Sequence, residues 1–381
     1  MPLREYEWMD SQSVPRRRRT WPYVAFGMLV VATAGWIAFW YSAATQAERL
    51  VSEWIERESR LGRFYDCGSR SIQGFPFQIV LRCDEARAQL NNLQPALGLN
   101  LSDVQVAAPL YQPTLLVAQF SGPLAIGEPD HAPRMMANWK SARTTVRGTP
   151  RSPERISIVM EKPVFERVTD GGRESLVNGE HVEFHARIVS GTPANHPLLD
   201  VGVKIAATSA PGVHPLAAEP IDADVDTRLH GLKDFAPKSW PDRFREIQQA
   251  DGRIEVRNAR IRQGEWLATG TGSVGLSAAG RLQGEILVTV AGLDKLMKQL
   301  GVEYVARSER MNSAIGALNQ LLPGLGDAAR EHAGAGAAAG LALLGEQVEL
   351  EGRKATRLSL RFQDGAVSLG PVPIGQTEAL F

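Results

Sequence analysis

The sequence predicts an α+β, β-rich protein: an N-terminal transmembrane helix, then a large domain of twisted antiparallel sheets with a few C-terminal helices packed on them. Three observations predict it. Trp21 to Tyr41 run without a charge; from Arg63 to about Phe235 apolar residues recur at every second position; and helical spacing returns after Leu293. The 381 residues, 44% of them hydrophobic, suffice for substantial cores. Lysine plus arginine equals aspartate plus glutamate at 42 each, so no global field invites nucleic acid.

The apolar run is long enough to cross a bilayer as a helix, since about 20 residues span the hydrocarbon core. Trp21, Tyr23, Trp36, Trp40 and Tyr41 gather towards its ends, where amphipathic rings prefer the interface. Arg16 to Arg19 precede it and the first charge after it is Glu48, so the positive-inside bias places the N-terminus in the cytoplasm. A cleaved signal peptide is the rival reading, with Ser42, Ala43 and Ala44 as small residues at a cleavage site. Both export the body of the chain. The expected organisation is a cytoplasmic tail over 1–20, an anchor over 21–43, an amphipathic stalk helix over 44–62 ended by Gly62, and an exported β-rich domain over 63–381, with lobes 63–236 and 237–381.

Within that domain FPFQIVLRC and HVEFHARIV show the alternation most clearly, and half-polar alternation signals antiparallel strands with one covered face. Lys238 to Ala250 predict a helix capped by Ser239 or Asp242. A long hairpin follows, turning at Ser277–Gly280. Leu293 to about Leu322 and Asp327 to Leu344 are expected as helices. Strands around Ala355–Phe362 and Val367–Leu369, joined by Asp364-Gly365, close the fold, with the last residues trailing.

Motifs that carry chemistry are sparse. Gly270, Gly272 and Gly275 satisfy G-x-G-x-x-G, but strand residues follow where a phosphate needs a helix N-terminus. His181, Glu183 and His185 share one strand face, a metal-chelating geometry that is also simply the solvated side of the strand. Asp222, Asp224 and Asp226 open like a calcium loop, yet Thr227 and Lys233 stand where glycine and glutamate belong. Nucleophile motifs such as G-x-S-x-G, S-x-x-K and H-E-x-x-H are absent. No catalytic, cofactor-binding or metal residue is therefore assigned.

Three stretches occur in order: GFPFQIVL at 74–81, the glycine-rich block at 270–300, and LRFQDGAVSLGPVPIG at 360–375. With the single anchor they resemble an uncharacterised bacterial domain-of-unknown-function family of inner-membrane-anchored envelope proteins. In style the chain is similar to AsmA-like envelope proteins, which have one N-terminal anchor followed by antiparallel strands and are implicated in outer-membrane lipid homeostasis. The resemblance implies a single-pass bacterial inner-membrane protein with a periplasmic body, and supplies no catalytic residues.

The function expected is non-enzymatic binding of a lipid, an apolar ligand or an envelope protein partner, without a cofactor. The alternative is an exported hydrolase acting on an envelope polymer or lipid, with Asp222, Asp224 and Asp226 as its acids. Cys67 and Cys83, the only cysteines, then lie in an oxidising compartment and are expected as a disulfide clamping a first hairpin that reverses at Gly74-Phe75-Pro76. Symmetry about Phe75 matches Ser69 with Leu81 and Ser71 with Ile79, so a bulge near Gly74 is expected to restore the faces.

Overall fold

The computed structural model describes residues 21–93, 95–149, 152–212, 217–236, 238–299, 345–370 and 372–381. One helix, α1 (Trp21–Arg60), carries both the apolar run and the amphipathic stretch without a break. At 1.5 Å per residue it is about 60 Å long, roughly twice the hydrocarbon thickness of a bilayer. Its apolar part is long enough to cross a membrane, as a signal sequence near an N-terminus also would be. One compact unit ends at Ser52, and Glu53–Phe381 form the other. In the second unit α1 stops where Gly62 takes φ 76° and accepts a hydrogen bond from the Asn91 amide. Its last turns are held to the sheet by Trp54 against Tyr65, ring centroids 4.8 Å apart, and by Glu58 with Arg63 at 2.5 Å.

The sheet starts as a meander of β1 (Arg63–Gln73), β2 (Gln78–Leu90), β3 (Leu97–Pro109) and β4 (Leu115–Gly127). At β4 it forks. β6 (Ser141–Thr149) pairs with the first half of β4, while β5 (Met135–Asn138) pairs with the second. The β5 branch continues through β8 (Val164–Thr169) and β9 (Gly172–Asn178). The main branch runs from β6 through β7 (Ser152–Glu161), β10 (His181–Thr192), β11 (Asn195–Thr208) and β12 (Ile221–Leu229). It continues with β13 (Arg253–Gln263), β14 (Trp266–Leu276), β15 (Leu282–Ala291) and β17 (Arg353–Gln363). β16 (Glu346–Leu350) and β18 (Ala366–Leu369) share the far edge of β17, and β19 (Val372–Gln376) ends the run. Every pair is antiparallel.

Local chemistry explains the connections. α2 (Trp240–Gln249) is capped by Ser239, whose hydroxyl accepts the Asp242 amide. Asp364 and Gly365 both take positive φ, 48° and 89°, as the tight Asp-Gly turn requires. Gly272 in β14 has φ 155°, and a Cβ there would lie 2.2 Å from the Glu285 carbonyl oxygen. The glycines at 270, 272 and 275 thus serve a close β14–β15 approach, not a phosphate loop.

The structure joins Cys67 to Cys83 in a disulfide, Cα atoms 5.4 Å apart. The register differs from symmetry about Phe75. Ile72 meets Leu81, Ser71 meets Arg82 and Ser69 meets Asp84, so apolar faces apolar. The expected bulge near Gly74 does not form: the pairing keeps one register from Gln73 opposite Val80 to Arg63 opposite Leu90, because a turn over Gly74–Phe77 already aligns the faces. The chain end also departs from expectation. Residues after Leu369 form β19 instead of trailing, the Leu380 amide donates to the Gly280 carbonyl, and Arg245 lies 5.2 Å over the Phe381 ring.

Fully buried apolar side chains among the described residues concentrate at the C-terminal end. α3 (Leu293–Gln299) places Leu293 and Met297 against Val290, Leu358 and Leu369. Leu267, Ala291 and Ala355 form a second small cluster. The rest of the helix expected over Leu293–Leu322, and all of that over Asp327–Leu344, lie outside the described residues.

Candidate functional site

The pairing register fixes which residues share a face. Cross-strand partners give a single row: Ile72, Leu81, Val106, Ala118, Thr144, Ile158, Phe184, Val203, Val225, Ala259, Gly270, Val288 and Leu358. It crosses every strand of the main run from β1 to β17 without a charge, over about 60 Å at the usual strand spacing. A parallel row, Leu116, Val146, Ile156, Ala186 and Val201, lies two residues along the same strands. Alternation dictates this: each strand sends every second residue to one face, and a slip by one would reverse it.

This apolar face is only partly covered. Of the first row, Leu358 is buried under α3 and Gly270 lies within the sheet, whereas Ile158 and Val203 are 36% and 37% exposed and the others are half-buried. A half-covered apolar row of this length, with Ile158 and Val203 exposed within it, is a candidate interaction surface.

The other face is charged. The neighbouring row reads Arg82, Gln105, Gln119, Arg143, Val159, Glu183, Lys204, Asp224 and Arg260. Asp200, its side chain 9% exposed, binds Arg228 through Nε at 2.7 Å and Nη2 at 3.2 Å, Arg187 at 2.8 Å and Arg257 at 3.5 Å. Those hydrogen bonds, Arg228 foremost, hold its carboxyl down at about 2. One carboxylate thereby ties β11 to β10, β12 and β13.

His181, Glu183 and His185 do project together, and β7 adds partners that sequence reasoning missed. His181 Nε2 lies 2.5 Å from Glu183 and its Nδ1 2.8 Å from Glu161; His185 Nε2 lies 2.9 Å from Glu183, and its Nδ1 meets the Ser157 hydroxyl. Hydrogen bonding to Glu183, reinforced by Glu161, raises the His181 pKa, while His185 and His181 lower that of Glu183. Ser157, His185 and Glu183 thus stand in series on the charged face, where the backbone amides are engaged by pairing among β6, β7, β10 and β11. Among the described residues no group of three or more His, Cys, Asp or Glu is arranged to hold a metal ion.

Asp222, Asp224 and Asp226 line up on this charged face. Asp222 accepts the Ala207 amide at 2.8 Å and the Arg262 guanidinium at 2.6 Å, which lower its pKa. Asp224 and Asp226 are exposed, opposite Arg260 and Asn258. The alternation in Ser157–Glu161 places Ser157 and Glu161 on one face, but only the β7–β10 register brings them beside His185 and His181.

Fold and site together define a class: a chain with one long apolar N-terminal helix and one continuous antiparallel sheet, apolar on one face and charged on the other. The chain belongs to the family of uncharacterised proteins conserved in bacteria, DUF2125, whose profile matches residues 40–378. No curated protein and no solved structure matches it.

Proposed function

We propose that this is a non-enzymatic envelope protein, anchored by α1 in the bacterial inner membrane, whose body is periplasmic and binds lipid acyl chains along the apolar sheet face. The carrying observation is the uncharged row from Ile72 to Leu358, left half-covered over most of its length. Covering a dozen half-buried side chains corresponds to roughly 10 kcal/mol of gross hydrophobic stabilisation, before the entropy of ordering a ligand. Arg16–Arg19 ahead of the apolar run support the orientation, and the disulfide suits an oxidising compartment. AsmA-like proteins supply an analogy of architecture for lipid handling.

Photo-crosslinking in cells tests it with the full chain. A benzophenone amino acid replacing Phe184 or Val203 is expected to give adducts with the mass of a phospholipid, and one replacing Lys204 on the charged face is not. Absence of adducts at 184 and 203, or equal adducts at 204, overturns the reading.

A further inference from the structure

The antiparallel pairing puts the β1/β2, β3/β4 and β6/β7 connections on one rim of the sheet. The first two tips are joined by a hydrogen bond from the Leu110 amide to the Phe77 carbonyl, and the Gly148 amide of β6 donates to the Thr114 carbonyl just beyond Tyr111. Aromatic side chains stand outward there: Phe75 is 52% exposed, Phe77 65% and Tyr111 77%. No charge occurs from Ser71 to Leu81 or from Val104 to Gly127. The opposite rim is charged, with Glu128, Asp130, Lys140 and Lys162.

Beside the aromatic tips, arginines face one another. Arg147 lies directly across from Arg155, and both are exposed with no ion-pair partner among the described residues. Arg155 in turn lies across from Arg187, whose guanidinium is shared with Asp200. Glu154 sits next to Arg155 but alternates to the apolar side of the strand. Like charges directly opposite destabilise a sheet, and an anion between them relieves that cost.

We propose that this rim docks on an anionic lipid bilayer, with Phe75, Phe77, Leu110 and Tyr111 entering the interfacial layer and Arg147 and Arg155 binding headgroup phosphates. Aromatic rings with uncharged flanks match the interface, and paired guanidinium groups match phosphodiesters. A soluble protein partner would leave the arginine pair facing water or need an acidic counterpart; a phosphatidylglycerol surface supplies the negative charge and the apolar layer together. The proposal goes beyond acyl-chain binding by the sheet face and stands without it.

The test uses the full chain in nanodiscs of phosphatidylethanolamine and phosphatidylglycerol. Cys67 and Cys83 are bonded and no free cysteine competes, so Tyr111→Cys can be labelled with an environment-sensitive fluorophore, and Asp130→Cys on the opposite rim serves as control. Lipid-borne spin labels, in the nanodisc or in added protein-free vesicles, are expected to quench position 111 on the order of threefold more than position 130. Arg147→Gln with Arg155→Gln is expected to weaken quenching by added vesicles on the order of 30-fold in lipid concentration, from two basic groups at about 1 kcal/mol each. Equal quenching at 111 and 130, none at either, or a blue shift at 111 without lipid quenching overturns the proposal. Crosslinking at Phe184 in the arginine variant reports on the sheet face separately.

Discussion

Replacing Asp200 by asparagine isolates one polar tie that spans four strands. The carboxyl is held at about 2 against an ordinary 3.8. Because the folded value lies below the unfolded one, the stability it contributes is present above pH 3.8 and is lost as pH falls towards 2. The difference corresponds to about 2.5 kcal/mol at neutral pH, and about half of that survives at pH 3. Asparagine keeps the shape but not the charge, so Arg187, Arg228 and Arg257 face a neutral group. The variant is expected to unfold about 2.5 kcal/mol more easily at pH 7, a fall in Tm of roughly 5 °C for a sheet of this size. Urea unfolding of the full chain and of D200N in detergent micelles, followed by far-ultraviolet circular dichroism from pH 7 to pH 3, reads the gap directly. A gap that stays constant across that range, or none at pH 7, would show that the Asp200 carboxylate does not hold the strands together.

Three further outcomes follow from single features. Cys67→Ser with Cys83→Ser opens a loop with a sequence separation of 16 and is expected to cost roughly 3 kcal/mol in urea unfolding; equal midpoints would exclude a clamping role. His181 is raised above 6.5, so its contribution is complete below that pH and disappears as pH climbs through the folded value. Nuclear magnetic resonance titration should place its ionisation above 6.5, and H181Q should destabilise the protein more at pH 6 than at pH 9. Gly272→Val forces a side chain against the Glu285 carbonyl at φ 155° and is expected to destabilise by about 1–3 kcal/mol from backbone strain alone, measured by thermal unfolding.

Much of the fold is legible because it is written in local periods. Alternation in HVEFHARIV, the Ser239 cap, the Asp364-Gly365 turn and the uncharged run from Trp21 each depend on residues within a few positions. What the sequence concealed depends on register. Nothing near His181 names Glu161, and nothing near His185 names Ser157, because the β8–β9 excursion separates β7 from β10 along the chain. The centre of the hairpin carrying the disulfide is concealed for the same reason: its register is set by the turn over Gly74–Phe77, which displaces the pairing from symmetry about Phe75. β19 was missed because Val372–Gln376 is short and contains proline, which only an edge strand tolerates.

The two faces bear on each other physically. A sheet ordinarily gains stability by burying one face against a second layer, and among the described residues the buried apolar clusters lie beside α3, far along the strand order from Ile72. Ties on the charged face add to that: Asp200 joins four strands, Glu161 with His181 and Ser157 with His185 join β7 to β10, and Arg262 with Asp222 joins β12 to β13. The more exposed of these pairs, such as Arg262 with Asp222, contribute only about 0–1 kcal/mol each, and Asp200 carries the larger share. All of them fix register as well, and a fixed register keeps the apolar row in line from β1 to β17. If acyl chains occupy that row, then breaking Asp200 should disturb it at a distance, with crosslinking at Val203 falling before the sheet unfolds. If crosslinking at Val203 in D200N persists undiminished until global unfolding, the polar ties and the apolar row are independent.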